Sequence, residues 1–466
     1  MQGEYRGDFT RDTFAQKKHF SRVLMQQGRV LLDADWNEQT SILLHYLQTL
    51  ATDIIGPHGG PKEGSGFNLT ATTPESADFN IGAGHYYVDG ILCENLEKRN
   101  KDDSIIPITY KSQPYFPGDP TQDSANLTYL AYLDVWERHI TYIEDNKEGD
   151  PGICEVALGG PDTCTRAQVV WQVKVADKWS DASAIVAFDE VKWRNLKGQR
   201  QPTNRGMLKA KAADAPKDNT NEPCTINPES SYRGAENQLY RVEIHKGGKA
   251  KGEAAFKWSR GNGSELFPVL KVAENNITLA HFGRDERSSL QPNDWVELVD
   301  DEITLRNQGG PLAQVKSIQH EEMSVEIVKW EVTEEVPLPT YRDDDYSSKH
   351  VVLRRWEGKR TVKENITDDA TKEWIELEAG VQIQFQPAHG DAPGHEYRIG
   401  DYWLIPARVA TGDIEWPRQD QPDPLPPHGV EHHYAPLAIV TVKDGKATVE
   451  ATGDLRKPFS PLQLKV

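Results

Sequence analysis

Hydrophobic positions along this chain change their period once. Between Trp36 and Ile54 they recur in alternating steps of four and three, through Trp36, Thr40, Leu43, Leu47, Leu50 and Ile54. That is the seam of a coiled coil. Leu44, Ala51 and Ile55 widen it into a stripe that can bury one side in its own fold and offer the other to a second chain. The pattern predicts a helix from about Ala34 to Ile55, stopped by Gly56-Pro57. At the usual rise per residue it would be about 33 Å long. Ahead of it, Gly3 to Arg29 is polar, with turn residues at Gly7-Asp8 and Gln27-Gly28, and reads as an extended arm.

After Ile55 the period becomes two. "FNIGAGHYYVDGILCENLE" places Asp89-Gly90 between two apolar runs, the signature of a tight type I′ hairpin, and Asp444-Gly445 repeats it. "LTYLAYLDVWERHITYI", "RAQVVWQVKVA", "YRVEIHKGG", "NDWVELVDD", "HVVLRRWEG" and "DYWLIPARV" are rich in β-branched and aromatic residues and read as strands. The expected fold is therefore mainly β, in several sandwiches or barrels, with an N-terminal extended arm and one long amphipathic α-helix. Pro-rich or charged breaks fall at Thr203 to Pro228, Val336 to Ser348 and Trp416 to Pro427. The first two suggest boundaries: an arm and helix over 1–62, then β domains over 63–202, 203–345 and 346–466.

Composition narrows the function classes. A formal net charge of −19 opposes any wide phosphate-binding surface, so nucleic acid is not an expected partner. No stretch approaches the roughly 20 apolar residues needed to span a bilayer, and no secretory signal precedes the arm, so a cytoplasmic chain is expected. In that compartment Cys154 and Cys164, flanking "EVALGGPDT", are expected as thiols, although their spacing would permit a bridge.

Candidate chemistry is thin. Asp33, Asp35 and Glu38 in "GRVLLDADWNEQ" could gather a cation, but no Gly-bearing ligand loop accompanies them. Asp35 with Glu38 three residues on fits a capping box, both acids favouring a helix start. His428-x-x-Glu431-His432 spells an inverted zincin motif, yet Pro426-Pro427 and Gly429 argue for a loop instead of the helix that chemistry needs. "SRGNGS" (Ser259 to Ser264) lacks the Lys-Ser/Thr of a P-loop and reads as a hairpin turn. Neither catalytic residues nor metal or cofactor ligands are expected. The residues singled out are those of the helix: Trp36, Leu43, Leu47, Leu50 and Ile54 for docking, Asp35 and Glu38 for the cap.

The stretches "RGDFTRDTF", "HFSRVLMQQGRVLLDADWNEQ", "NQLYRVEIHKGG", "EAAFKWSRGNGS" and "YRIGDYWLIPARVATGDIEWP" together resemble a family of phage-tail-like bacterial proteins of unknown function. The likeness runs from Gly7 to about Lys457. Members of that family tend to be encoded with contractile injection systems, so the resemblance implies a structural part of the baseplate region, assembled into a tail-like particle. Its partners would be baseplate, tube or sheath proteins. Further copies of this chain are expected through the helix, a trimer being one candidate. The alternative is a carbohydrate or receptor binder at the periphery of the same machine, using tryptophans such as Trp258, Trp356, Trp403 and Trp416; a cargo effector is the third reading.

Overall fold

The computed structural model describes residues 3–460 apart from 101, 117–126, 146–151, 182–187, 202–203, 214–231, 251, 284, 286, 333–335, 365–373, 389–393 and 419–420. Much of the break from Thr203 to Pro228 thus lies outside the described residues. The fold is mainly β, gathered around three large hydrophobic cores.

The first core is closed by two sheets. One runs in the order Lys446–Asp454, His433–Lys443, Leu127–Ile140, Arg166–Asp181, and the other in the order Pro458–Phe459, His58–Pro61, Gly84–Val88, Ile91–Asn95. Leu127–Ile140 is central and covered on both faces, which explains why "LTYLAYLDVW" is a continuous apolar run instead of an alternating one. Tyr129, Ala131, Leu133 and Val135 enter the main core. On the other face Leu130 and Tyr132 meet Trp193, and Trp136 meets Leu305. Trp193 lies on a short helix, Glu190–Arg200, that follows no strong apolar period; Asp189 starts it by accepting from the amides of Val191 (2.9 Å) and Lys192 (3.1 Å).

The second core lies between a five-stranded sheet, Gly358–Thr361, Ala255–Ser259, Gln238–Lys246, Tyr402–Arg408, Asp413–Ile414, and a three-stranded sheet, Met207–Ala212, Val381–Gln386, Ile375–Glu376. The third fills a closed six-stranded antiparallel barrel built within residues 266–356. The linear partition expected from the Pro-rich breaks is corrected by this pairing. His433–Lys443 hydrogen-bonds along Leu127–Ile140, so the chain's last strands complete its first β body. The second body is split around the barrel, which is inserted between Ala255–Ser259 and Gly358–Thr361. Long-range strand pairing of this kind leaves no mark on local composition.

Both Asp-Gly turns are two-residue loops, with Val88 opposite Ile91 and Lys443 opposite Lys446. Asp89, Gly90, Asp444 and Gly445 all have positive φ, as a type I′ turn requires. Gly90 is doubly constrained, because a Cβ there would come within 2.3 Å of the Gln48 carbonyl oxygen. This hairpin tip is where the long helix rests on the first β body.

Candidate interaction surface

The helix spans Asp33–Ile55 and turns its longer apolar stripe away from the core, against the usual rule. Ala34 and Ile42 are its buried residues; Ser41, His45, Gln48, Ala51, Thr52 and Ile55 are half-buried, four of these six being polar. The coiled-coil seam points outward. Trp36 is 67% exposed, Leu43 52%, Leu47 61%, Leu50 57% and Ile54 65%. Leu44 and Tyr46 lie exposed beside the seam, and Asp53 is its one charged neighbour between Trp36 and Ile54. The arm adds Phe20, Leu24, Met25, Val30, Leu31 and Leu32, all exposed. Exposed apolar side chains clustered in this way are uncommon on monomers and characteristic of contact surfaces.

The capping box is not formed. Leu32 is the N-cap and no side chain closes the helix; Asp35 already lies inside the first turn. The acids on either side of it are taken by the arm. Asp33 accepts from the Thr10 amide (2.9 Å) and hydroxyl, and Glu38 accepts from the Thr13 hydroxyl (2.7 Å). Gln39 likewise accepts from the Val23 amide at 2.7 Å. These carboxylates therefore lace the arm to the helix, a tertiary role that sequence spacing alone does not distinguish from capping.

The start of the arm is anchored in a polar junction that sequence reading passed over. In Gln238–Lys246 the side chains alternate: Tyr240, Val242 and Ile244 enter the second core, while Arg241 and Glu243 face the opposite way. Ala255–Ser259 sends Phe256 and Trp258 to the core and Lys257 to the same opposite face. That face is covered by the outside of the barrel, where Glu297, Arg354 and Trp356 alternate with interior Val296, Leu298 and Leu353. Residues that look solvent-facing by pattern are thus buried between two bodies.

Arg6, Arg241 and Lys257 are paired with carboxylates inside this junction. Arg241 donates to Glu243 at 2.6 Å and lies 3.5 Å over the Tyr402 ring. Lys257 bridges Glu243 (3.2 Å) and Glu297 (2.6 Å), and Trp356 Nε1 donates to Glu297 at 3.0 Å. Into this frame the arm inserts Arg6, which donates to both oxygens of Glu243, at 3.0 and 3.2 Å. Burial pushes the Glu243 carboxyl up, but Arg6, Lys257 and Arg241 outweigh it and hold it well below the usual carboxylate range. Asn262, fully buried and left-handed at φ 56°, donates to the carbonyls of Tyr5 (3.2 Å) and Gly7 (2.9 Å). Tyr402 donates to the Gly3 carbonyl at 2.6 Å. "SRGNGS" is therefore no hairpin: it carries the chain from the five-stranded sheet into the barrel and clamps the arm on the way.

The other sequence candidates disperse. His428 packs beside Tyr402, its ring 5.5 Å away, while His432 bonds Asp134 at 2.6 Å and His433 bonds Asp89 at 3.0 Å; the segment is not helical. Trp258, Trp356, Trp403 and Trp416 are all at least 93% buried, which removes them as sugar-stacking platforms. Cys154 and Cys164 are free thiols. Among the described residues no helix is long and apolar enough to cross a membrane.

Two overlapping stretches, residues 5–197 and 187–449, match the family of unknown function DUF6519. The chain belongs to the DUF6519 family. The matched stretches take in the arm anchor at Arg6, the outward seam of the helix and all three cores of this DUF6519 protein. No curated protein and no solved structure matches it.

Proposed function

We propose that this chain is a structural, non-enzymatic component of a larger protein assembly, docked through the outward face of Asp33–Ile55 and the exposed arm ahead of it. The observation that carries the reading is the direction of the seam: Ala34, Ile42 and a largely polar half-buried face lie on the chain's own fold, and Trp36, Leu43, Leu47, Leu50 and Ile54 lie exposed. Exposing five large side chains of this kind opposes the hydrophobic effect at roughly 1.5–3 kcal/mol each, so a partner that covers them recovers a large free energy.

The occupant we assign is another copy of the same helix. A seam in alternating steps of four and three is self-complementary, because identical helices interdigitate at those positions. Along the seam no charge stands to repel a second copy, Asp53 at its edge excepted. Leu44 and Tyr46 broaden the face beyond the two positions per heptad that a pair of helices covers, which supports a bundle of three. The resemblance noted from the sequence supports reading such a bundle as part of the baseplate region of a phage-tail-like contractile injection system, with the β bodies carried outward on a pinned arm.

Analytical ultracentrifugation of the purified chain tests this. An oligomer that dissociates on Leu43→Glu with Leu50→Glu, and that copurifies with tail-like particles, is the expected result. A wild-type chain that stays monomeric at high concentration would overturn it.

A further inference from the structure

The polar junction opens into a cavity of about 450 Å³ where the barrel, the five-stranded sheet and the first β body meet. Most cations on its wall have carboxylates of their own. Arg6 is taken by Glu4 and Glu243, Lys257 by Glu243 and Glu297, Lys174 by Asp134, and Arg398 by Asp401. Arg354 differs. It is 8% exposed, donates to the Gly263 carbonyl, and among the described residues has no carboxylate at ion-pair distance. Burial first, and then Arg6, bring its guanidinium down to about 10, with Glu297, Glu243 and Glu4 offsetting them only in part.

Two buried side-chain nitrogens on the same wall have no hydrogen-bond partner. His139 is 7% exposed and its Nε2 has no hydrogen-bond partner; Arg138 is 5% exposed, spends one nitrogen on Asp301 and leaves Nε unpaired. Burial, followed by Arg354, Arg6, Arg241 and Arg138, brings His139 down to about 3, so the ring is neutral and can donate from Nε2 at ordinary pH. Buried polar groups without partners cost free energy and are rare in native proteins. Here two such atoms, Arg138 Nε and His139 Nε2, line one partly open cavity together with Arg354.

We infer that this cavity binds a small oxyanion, a phosphate or a carboxylate, held by Arg354 with His139 and Arg138 beside it. The guanidinium fork suits either group, since each offers two oxygens in its plane. A bound anion would supply the missing counter-charge and tie the barrel, through Arg354, to the first β body, through Arg138 and His139.

The test titrates the full chain calorimetrically with inorganic phosphate and, separately, with succinate, at constant ionic strength in chloride. The expected result is one site per chain for at least one of the two, with a raised melting temperature that chloride does not reproduce. Tighter phosphate binding assigns a phosphoryl ligand and tighter succinate binding a carboxylate ligand. Arg354→Gln should weaken binding by about tenfold or more, the weight of one charge-assisted hydrogen bond. Arg354→Lys, which keeps the charge and loses the fork, covers the case in which the glutamine variant does not fold, and should also bind more weakly than wild type. Absence of heat and of any melting shift with both anions at millimolar concentration would overturn the inference, as would unchanged binding in the folded variants.

Discussion

Replacing Glu243 by Gln removes the one carboxylate that three buried cations share. Arg6, Arg241 and Lys257 all reach it, at 3.0, 2.6 and 3.2 Å, and it is 2% exposed, so neither water nor a rotamer change can substitute. Breaking a buried pair from one side costs about 3–5 kcal/mol, because the partner charge is left uncompensated. Glu→Gln keeps the shape but turns one of the two acceptor oxygens into an NH2 donor facing the cations, so the expected loss of about 4 kcal/mol combines the lost charge with lost acceptance. The contrast with Arg6→Met makes this diagnostic. Removing Arg6 leaves Glu243 still neutralised by Arg241 and Lys257, and the cost should be only about 1–2 kcal/mol, the worth of the lost charge-assisted bonds. Urea unfolding followed by tryptophan fluorescence, with the double variant closing a thermodynamic cycle, measures both. A Glu243→Gln protein within about 0.5 kcal/mol of wild type, or one less perturbed than Arg6→Met, would refute the claim that this network holds the bodies together.

Three other outcomes follow from the same geometry. Gly90→Ala forces a left-handed residue against the Gln48 carbonyl and should cost roughly 2–4 kcal/mol, read as faster hydrogen exchange across Asp33–Ile55; unchanged exchange would mean the hairpin tip does not seat the helix. Asn262→Gly keeps the positive φ but loses the bonds to Tyr5 and Gly7, and should speed proteolysis of the arm about tenfold; if only Asn262→Ala does so, backbone strain and not the clamp is responsible. Acid should weaken the fold in two steps. His58, His139 and His245 are brought down, chiefly by burial, to about 4, 3 and 4, so below an unfolded value near 6.5 the unfolded chain takes up protons first and stability falls by on the order of 3 kcal/mol each towards pH 4. Glu243 has a depressed folded pKa, so its contribution is present above roughly pH 4.3 and is lost only as pH falls further. Thermal melts at fixed ionic strength should therefore decline from pH 6.5 downward, and a flat profile to pH 4 would contradict the buried-neutral histidines.

What was legible in the sequence had a local cause. The Asp89-Gly90 and Asp444-Gly445 hairpins follow from backbone conformations that few residues adopt, and the seam from Trp36 to Ile54 follows from helical geometry alone. The direction in which that seam points was not legible, since period fixes which residues share a face and not which face meets the fold. The polar junction was missed for a related reason. Arg241, Glu243, Lys257 and Glu297 alternate with core residues as solvent-facing charges would, and only the docking of barrel against sheet buries them. Nested bodies escaped too, because the partnership of His433–Lys443 with Leu127–Ile140 spans most of the chain. Local spacing pairs Asp35 with Glu38 as a cap, whereas Thr10 and Thr13, which claim Asp33 and Glu38, are distant in sequence and carry no spacing signal.

Cysteine placed in the helix tests the outward seam most directly. In a bundle of identical helices, Leu47→Cys stands opposite its copy within the roughly 4.4–6.8 Å between Cα atoms that a disulfide requires, whereas Ser41→Cys, on the face turned to the fold, does not. Mild oxidation should link Leu47→Cys into a covalent dimer well above the background set by the wild-type chain with its exposed Cys164, and should leave Ser41→Cys at that background. Equal linkage at the two positions, or none above wild type at Leu47→Cys, would contradict an assembly built on this helix.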